Sequence, residues 1–376
     1  MIYLDHAATS WPKPPNVLHA IIAAMAEGGG NPGRSGHALS LRASEIIYEC
    51  REAVAQLFGV SDPLRIVFTA NATEALNLAI KGTLMPGDHA VYSSMEHNAV
   101  WRPLKAMEAR GVTLTMVEAA PDGIVPPERV AAALRPNTRL VALTHASNVN
   151  GAINDITAVG AILRAHDALF LVDAAQTAGS LPIDARAMAI DMLAFPGHKG
   201  LLGPQGTGGL YIRPGLDLVP LKHGGTGSLS HLAEMPAITP DRYESGTPNT
   251  PGLAGLKAGI DTVMERGVEA IRDAERTHIA RLRTALSNIP GVTLHGPENA
   301  ALCAGIVALT ASGHDPEDLA SELAATYSIA CRAGLICAPL AHTTLGTNGI
   351  LRLSVGAATT EDEITAVTAA LRTILF

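Results

Sequence analysis

Seven short apolar runs recur between residues 65 and 213: "RIVFTA", "HAVYSSM", "VTLTMVEA", "RLVALTHASN", "ALFLVDAAQ", "DMLAFPGHK" and "GGLYIR". Between several of them the apolar positions switch to helical spacing, at 74–84, 98–110 and 155–166. This alternation predicts an α/β domain whose largely parallel, seven-stranded sheet is covered by helices on both faces. A Pro- and Gly-rich stretch at 223–252 closes the block. Beyond it the pattern predicts a helical segment over 253–288 and strand-like runs around 292–309 and 350–355, with helices near 315–327 and 360–374. These later elements read as a smaller α+β domain. The expected division is 1–254 and 255–376, with roughly the first 15 residues free to pack on the smaller part.

Several runs end in polar residues: Asn71 and Thr73, Glu96 and His97, Asn148, Asp173 and Gln176, His198 and Lys199. Ligands of parallel α/β sheets bind beyond the carboxyl ends of the strands, so the joint pattern predicts one site there.

A chain of 376 residues exceeds the size at which a single core keeps growing, which agrees with two domains. Twenty-seven Lys and Arg against 35 Asp and Glu leave a net charge of −8 without long runs, arguing against nucleic acid or an anionic membrane as partner. No apolar stretch is long enough for a membrane span and the N-terminus lacks signal-peptide character, so a cytoplasmic location is expected. Cys50, Cys303, Cys331 and Cys337 form no CxxC pair and no zinc-like spacing. No metal site is expected.

In "TANATEALNLAI", Asn71 followed by Glu74 three residues later marks a helix start, whose free N–H groups, with the Thr73 hydroxyl, can hold a phosphate. "LFLVDAAQ" delivers Asp173 from an apolar strand, and a buried carboxylate needs a partner. A protonated ring nitrogen would serve, with Gln176 able to bond a neighbouring ring oxygen. Lys199 follows "DMLAFPGH" directly; a dehydrated lysine loses its proton more easily and can form a Schiff base. Pyridoxal 5'-phosphate would bring an aldehyde, a pyridinium nitrogen and a phosphate to these three groups. A P-loop is excluded because Gly200 follows the lysine, and neither GxGxxG after a first strand nor HExxH is present.

Taken in order, "YLDHAATS", "NATEALNLAI", "EHNAVW", "SNVNGAI", "VDAAQTAG", "GHKGLLGPQGTG", "SGTPNTPG" and "RAGLICAP" resemble the class V aminotransferase family of fold type I pyridoxal phosphate enzymes. Within that family the chain is most similar to the cysteine desulfurases and selenocysteine lyases, from residue 2 to about 365. The resemblance implies that Lys199 carries the cofactor and moves the Cα proton. It implies Asp173 at the pyridine nitrogen, Gln176 at the ring hydroxyl, His97 stacked on the ring, and Ala72, Thr73 and His198 at the phosphate. Thr247 would reach the phosphate of a neighbouring subunit, implying a homodimer. Asn148, Arg332 and Arg352 would hold an amino-acid substrate, with Arg352 clamping its carboxylate, and His37 would line the site.

Cys337 follows Arg332 by five residues, a spacing the resemblance assigns to desulfurases with the nucleophile on a short, ordered loop. Attack of its thiolate on the substrate sulfur would leave a persulfide and release alanine, for passage to a sulfur-acceptor protein. Cys331 has no counterpart in the motif and reads as structural. Pro196 replaces a hydroxyl residue common in the family, Leu335 and Ile336 stand where some desulfurases carry histidines, and Thr359 stands where Asn is common. Two other functions fit the same residues: a selenocysteine lyase, β-eliminating lyase or aminotransferase that keeps the cofactor and does not need Cys337, and a non-catalytic scaffold that carries sulfur.

Overall fold

The computed structural model describes residues 1–33 and 35–375. Strands are β1 (Ile2–Tyr3), β2 (Ile66–Thr69), β3 (His89–Ser93), β4 (Thr113–Val117), β5 (Thr138–Thr144), β6 (Leu169–Asp173), β7 (Met192–Pro196), β8 (Gly208–Ile212), β9 (Val292–His295), β10 (Ile306–Ala311), β11 (Ile329–Ala330), β12 (Arg332–Gly334) and β13 (Ile350–Ser354). Helices are α1 (Pro15–Glu27), α2 (Ala38–Leu57), α3 (Ala72–Thr83), α4 (Asn98–Glu108), α5 (Pro127–Ala133), α6 (Ile156–Leu163), α7 (Thr250–Arg266), α8 (Val268–Ser287), α9 (Pro316–Tyr327), α10 (Pro339–Leu345) and α11 (Glu361–Leu375).

All seven apolar runs became strands of one sheet, ordered β2-β8-β7-β6-β5-β3-β4. Its strands are parallel except β8, which runs antiparallel to β2 and β7. Every residue of β3, β6, β7 and β8 is buried, because helices cover both faces and the strands must be apolar on both. One core packs around Val141, Phe170, Phe195 and Ile260 on one face; the other packs around Leu76, Ala142, Leu171 and Leu210.

A second sheet, β12-β13-β10-β9, is antiparallel throughout and holds its own core with α8, α9 and α11. The N-terminal strand β1 pairs with β11 of this C-terminal part, and Leu4 sits in the same core. The helical segment expected over 253–288 is two helices. They part at Gly267, whose φ of +84° is a conformation that glycine adopts without steric cost. The strand-like run at 292–309 likewise splits into β9 and β10 around a short turn at Ala300–Leu302. No helix among the described residues is long and apolar enough to cross a membrane.

Candidate functional site

The carboxyl ends of β2, β3, β5, β6 and β7 converge on one pocket, which collects Ala72, Thr73, His97, Asn148, Asp173, Gln176, His198 and Lys199. At its floor α3 begins with a reciprocal cap. The Asn71 side-chain oxygen accepts from the Glu74 N–H at 2.9 Å, and a Glu74 carboxylate oxygen accepts from the Ala70 N–H at 2.7 Å. The Ala72 and Thr73 N–H groups precede the first intrahelical bond, so they are open to an anion at the positive end of a three-turn helix.

Asp173 ends β6 and is 3% exposed; one of its oxygens accepts from the Ala175 N–H at 2.9 Å. Burial raises its pKa, against that hydrogen bond and the attraction of Lys199. Lys199 is dehydrated by its surroundings and repelled by Arg352, which brings its pKa down to about 8 against the pull of Asp173. A neutral amine is therefore within reach near neutral pH. The His97 ring accepts from the Ala99 N–H at 3.0 Å as the cap of α4, and burial with the nearby Lys199 lowers its pKa to about 4. It is a neutral imidazole with its proton on Nε2. His198 is also lowered to about 4, by burial and Lys199, and its Nδ1 lies 3.1 Å from Thr9 Oγ1.

This donor set suits a phosphorylated pyridine aldehyde. A buried carboxylate without an ion-pair partner among the described residues answers a ring N–H, a dehydrated amine answers the aldehyde, and a helix start with a hydroxyl answers the phosphate. Pro196 lines the pocket and offers no hydroxyl. Behind it Lys13 donates to Ser10 Oγ and to the His198 carbonyl, both at 2.7 Å, and so tethers the segment leading into Lys199. Burial lowers the Lys13 pKa to about 8.

Of the remaining expected residues, Arg332, Arg352 and Cys337 stand outside the lining of the pocket. Arg352 is 2% exposed and stands behind Asn148, donating to its carbonyl at 3.0 Å and to Asp5 Oδ1 at 2.7 Å. The Asn148 amide in turn donates to the Ile336 carbonyl at 2.6 Å, and the Asn98 N–H donates to the Cys337 carbonyl at 2.9 Å. These bonds pin the Cys337 loop to the rim, with Ile336 at φ 49° and Cys337 at φ 58°. Two successive left-handed residues cost roughly 1–3 kcal/mol each and persist only where neighbours hold them. Cys337 is exposed, whereas burial pushes the Cys50 and Cys303 thiols up and raises Cys331 to about 12. Arg332 is exposed and lies directly across from Arg352 in the β12–β13 pair.

Thr247 and His37 are not brought to this pocket. Thr247 is exposed beside Thr69 and Glu74 in a separate hollow, its loop anchored where Arg51 grips both oxygens of Glu244 at 2.7 and 2.8 Å. His37 is exposed, and its ring accepts from the Ser40 N–H at 3.2 Å as the cap of α2. Thr359 closes the turn before α11, its hydroxyl accepting from the Gly356 N–H at 3.0 Å.

One group escaped the sequence reading. Asp5, in the quoted "YLDHAATS", neutralises Arg352 across 347 positions of chain, and only its unusual place right after an apolar start signalled it. Truncating it would strand a buried guanidinium. Asp5→Ala should lower stability by about 3 kcal/mol in urea unfolding, and an unchanged midpoint would contradict the pairing.

Glu96, expected at the site with the other polar strand ends, does not line the pocket and is instead buried between the ends of β3 and β5. One of its oxygens accepts from Ser93 Oγ at 2.5 Å and from the Thr144 N–H at 3.0 Å; the other has no partner among the described residues. Burial raises its pKa from 4.5 to about 8. Between those values the folded chain holds a proton that the unfolded chain has released, so this contribution to stability falls as pH rises. Glu96→Gln keeps the accepting oxygen and removes the titration. The variant should gain stability relative to the parent between about pH 5 and about pH 8 in paired denaturant titrations, and a constant difference would refute the assignment.

Comparison with known proteins gives one picture. The Aminotransferase class-V family matches residues 2–367. A probable cysteine desulfurase from Methanothermobacter thermautotrophicus is 37% identical, the alignment covering 96% of this chain and 92% of that protein. Among solved structures, the apo cysteine desulfurase from Thermococcus onnurineus NA1 superposes with a TM-score of 0.93 at 31% identity, covering 100% of this chain and 94% of that one. The cysteine desulfurase CsdA from Escherichia coli, in an S-sulfonic acid form, gives a TM-score of 0.89 at 29% identity, covering 99% and 94%.

Proposed function

The chain belongs to the Aminotransferase class-V family, and on that premise we propose that it is a pyridoxal 5'-phosphate-dependent cysteine desulfurase that converts L-cysteine to L-alanine and collects the sulfur on Cys337. The observation that carries this proposal is the junction of two features at one rim. A pocket with a dehydrated lysine, a buried carboxylate and an open helix start adjoins a strained loop that presents an exposed thiol.

Lys199 would hold the cofactor covalently, Asp173 its ring nitrogen and Gln176 its ring hydroxyl, with the His97 ring stacked on its face. Ala72, Thr73 and His198 would take the phosphate. When bound, the cofactor supplies an electron-withdrawing ring that stabilises negative charge at the substrate Cα. The neutral imidazole of His97 can lie against such a ring without charge repulsion. The Lys199 amine, favoured by its lowered pKa, is the base that takes the Cα proton. Arg352, with Arg332 opposite it, draws the substrate carboxylate to the side of the pocket where Asn148 and the Cys337 loop meet.

The Cys337 thiolate then attacks the substrate sulfur. The new S–S bond forms as the Cβ–S bond breaks, the electron pair passes to carbon, and protonation yields alanine. The exposure of Cys337 and of Leu335 beside it supports hand-over to an acceptor. Thr247, exposed and away from its own pocket, supports a homodimer in which it serves the partner's phosphate site. We place the chain in the cytoplasm, divided into a cofactor-binding domain to residue 254 and a smaller domain from 255.

One observation favours β-elimination instead: Cys337 does not line the pocket itself. The two reactions differ in products. With L-cysteine and a thiol reductant, the cofactor-loaded enzyme should release alanine and sulfide in equal amounts. Pyruvate and ammonia would identify the lyase.

A further inference from the structure

At the opposite end of the sheet, where β6 and β7 begin, the surface opens into a groove of about 620 Å³. Five-residue strands separate it from the pocket of Lys199 by about 16 Å. Its volume falls within the range of small-molecule sites. Four arginines line it. Two are committed: Arg213 pairs with Asp191, whose other oxygen accepts from the Phe170 N–H at 2.7 Å, and Arg65 lies 3.6 Å from Asp62.

Arg164 and Arg186 have no carboxylate partner among the described residues. Arg164 donates to the carbonyl of Ala187 at 2.9 Å, which fixes its guanidinium beside the backbone that carries Arg186. Asp167 and Asp184, both exposed, lie nearby but form no ion pair with either guanidinium among the described residues; one Asp184 oxygen accepts from the Arg186 and Ala187 N–H groups at 3.0 and 2.8 Å. A second observation is independent of charge. Tyr211 on β8 is 6% exposed and lines the groove, and its hydroxyl has no hydrogen-bond partner among the described residues. The His166 ring accepts from the Ala168 N–H at 3.0 Å through Nδ1, which leaves Nε2 as a further donor at the same wall.

We infer that this groove is a second binding site, for a small phosphate-bearing metabolite. Planar guanidinium forks, a phenol and an imidazole N–H offer more donors than the two oxygens of a carboxylate can accept, and they match the three oxygens and near double charge of a phosphate monoester. The apolar wall of Leu163, Leu169 and Ile190 gives room for an uncharged organic portion. Nothing in this site belongs to the pocket of Lys199, so it stands or falls independently of the desulfurase activity.

The test is calorimetric titration of the cofactor-loaded enzyme, whose own phosphate position is then filled, with ribose 5-phosphate, inorganic phosphate and succinate in separate arms. Ribose 5-phosphate should bind saturably, one per chain. The double variant Arg164→Gln/Arg186→Gln should weaken it at least tenfold, and Tyr211→Phe about threefold. Both arginines are exposed, so the variants should fold, and an unchanged thermal midpoint without ligand checks this. Equal affinity for inorganic phosphate would name the free ion as the source and keep the site. Absence of saturation to roughly 10 mM, binding that the substitutions leave unchanged, or succinate binding as tightly as ribose 5-phosphate would each overturn the inference.

Discussion

Lys199→Ala is expected to cut turnover of L-cysteine by at least about 10³-fold while leaving the fold intact. The loss combines two roles, since the same amine holds the cofactor and takes the Cα proton. Stability should not suffer. The ammonium opens into the pocket without a hydrogen-bond partner among the described residues, and it is repelled by Arg352. Its removal therefore leaves no orphaned acceptor. The pH dependence of stability should agree: between about pH 8 and 10.5 the unfolded lysine holds a proton that the folded one has lost, so stability should rise with pH there, and below that window the dehydrated cation is a burden. The check is alanine production alongside a thermal midpoint, with a small primary amine added to replace the lost base. Partial rescue by the amine is expected. Activity within tenfold of the parent would remove Lys199 from the chemistry.

Cys337→Ser should lower alanine formation by about 10²-fold or more, while the change in cofactor absorption on adding L-cysteine persists. A hydroxyl is a far weaker nucleophile than a thiolate. The substitution is otherwise close to isosteric, and the loop is held by its backbone, through the Cys337 carbonyl to Asn98 and the Ile336 carbonyl to Asn148. Binding and chemistry thus separate in this variant. Alanine released at the parental rate would mean that Cys337 is not the sulfur acceptor. Pyruvate and ammonia released at an unchanged rate would favour elimination.

Much of the fold was legible because the strands of a doubly covered sheet must be apolar on both faces. β6, β7 and β8 read as unbroken apolar runs and proved wholly buried. Asn71 and Glu74 announced α3 because a capping pair is local chemistry. The break between α7 and α8 was not legible, since a single glycine in a helical pattern is tolerated in many helices and the positive φ of Gly267 depends on packing. Nor did the pattern mark α1, which leaves Leu18, Ile22 and Met25 exposed and so lacks a clear polar face.

In the site, the residues that follow strand ends met in one pocket because the sheet itself places them, except Glu96, which turns in between β3 and β5. Residues outside that logic did not. His37 spends its ring on a helix cap, Thr247 lines a separate hollow, and Asp5 meets Arg352 only through a contact spanning the chain.

The central claim is that sulfur leaves the substrate on Cys337. The most direct measurement is a single turnover of L-cysteine by the cofactor-loaded enzyme without reductant, followed by mass analysis of the peptide containing Cys337. That peptide should gain one sulfur atom, matched by one alanine per active site and reversed by a thiol. An unmodified Cys337 peptide after alanine has formed, or added sulfur on Cys50, Cys303 or Cys331 instead, would contradict it.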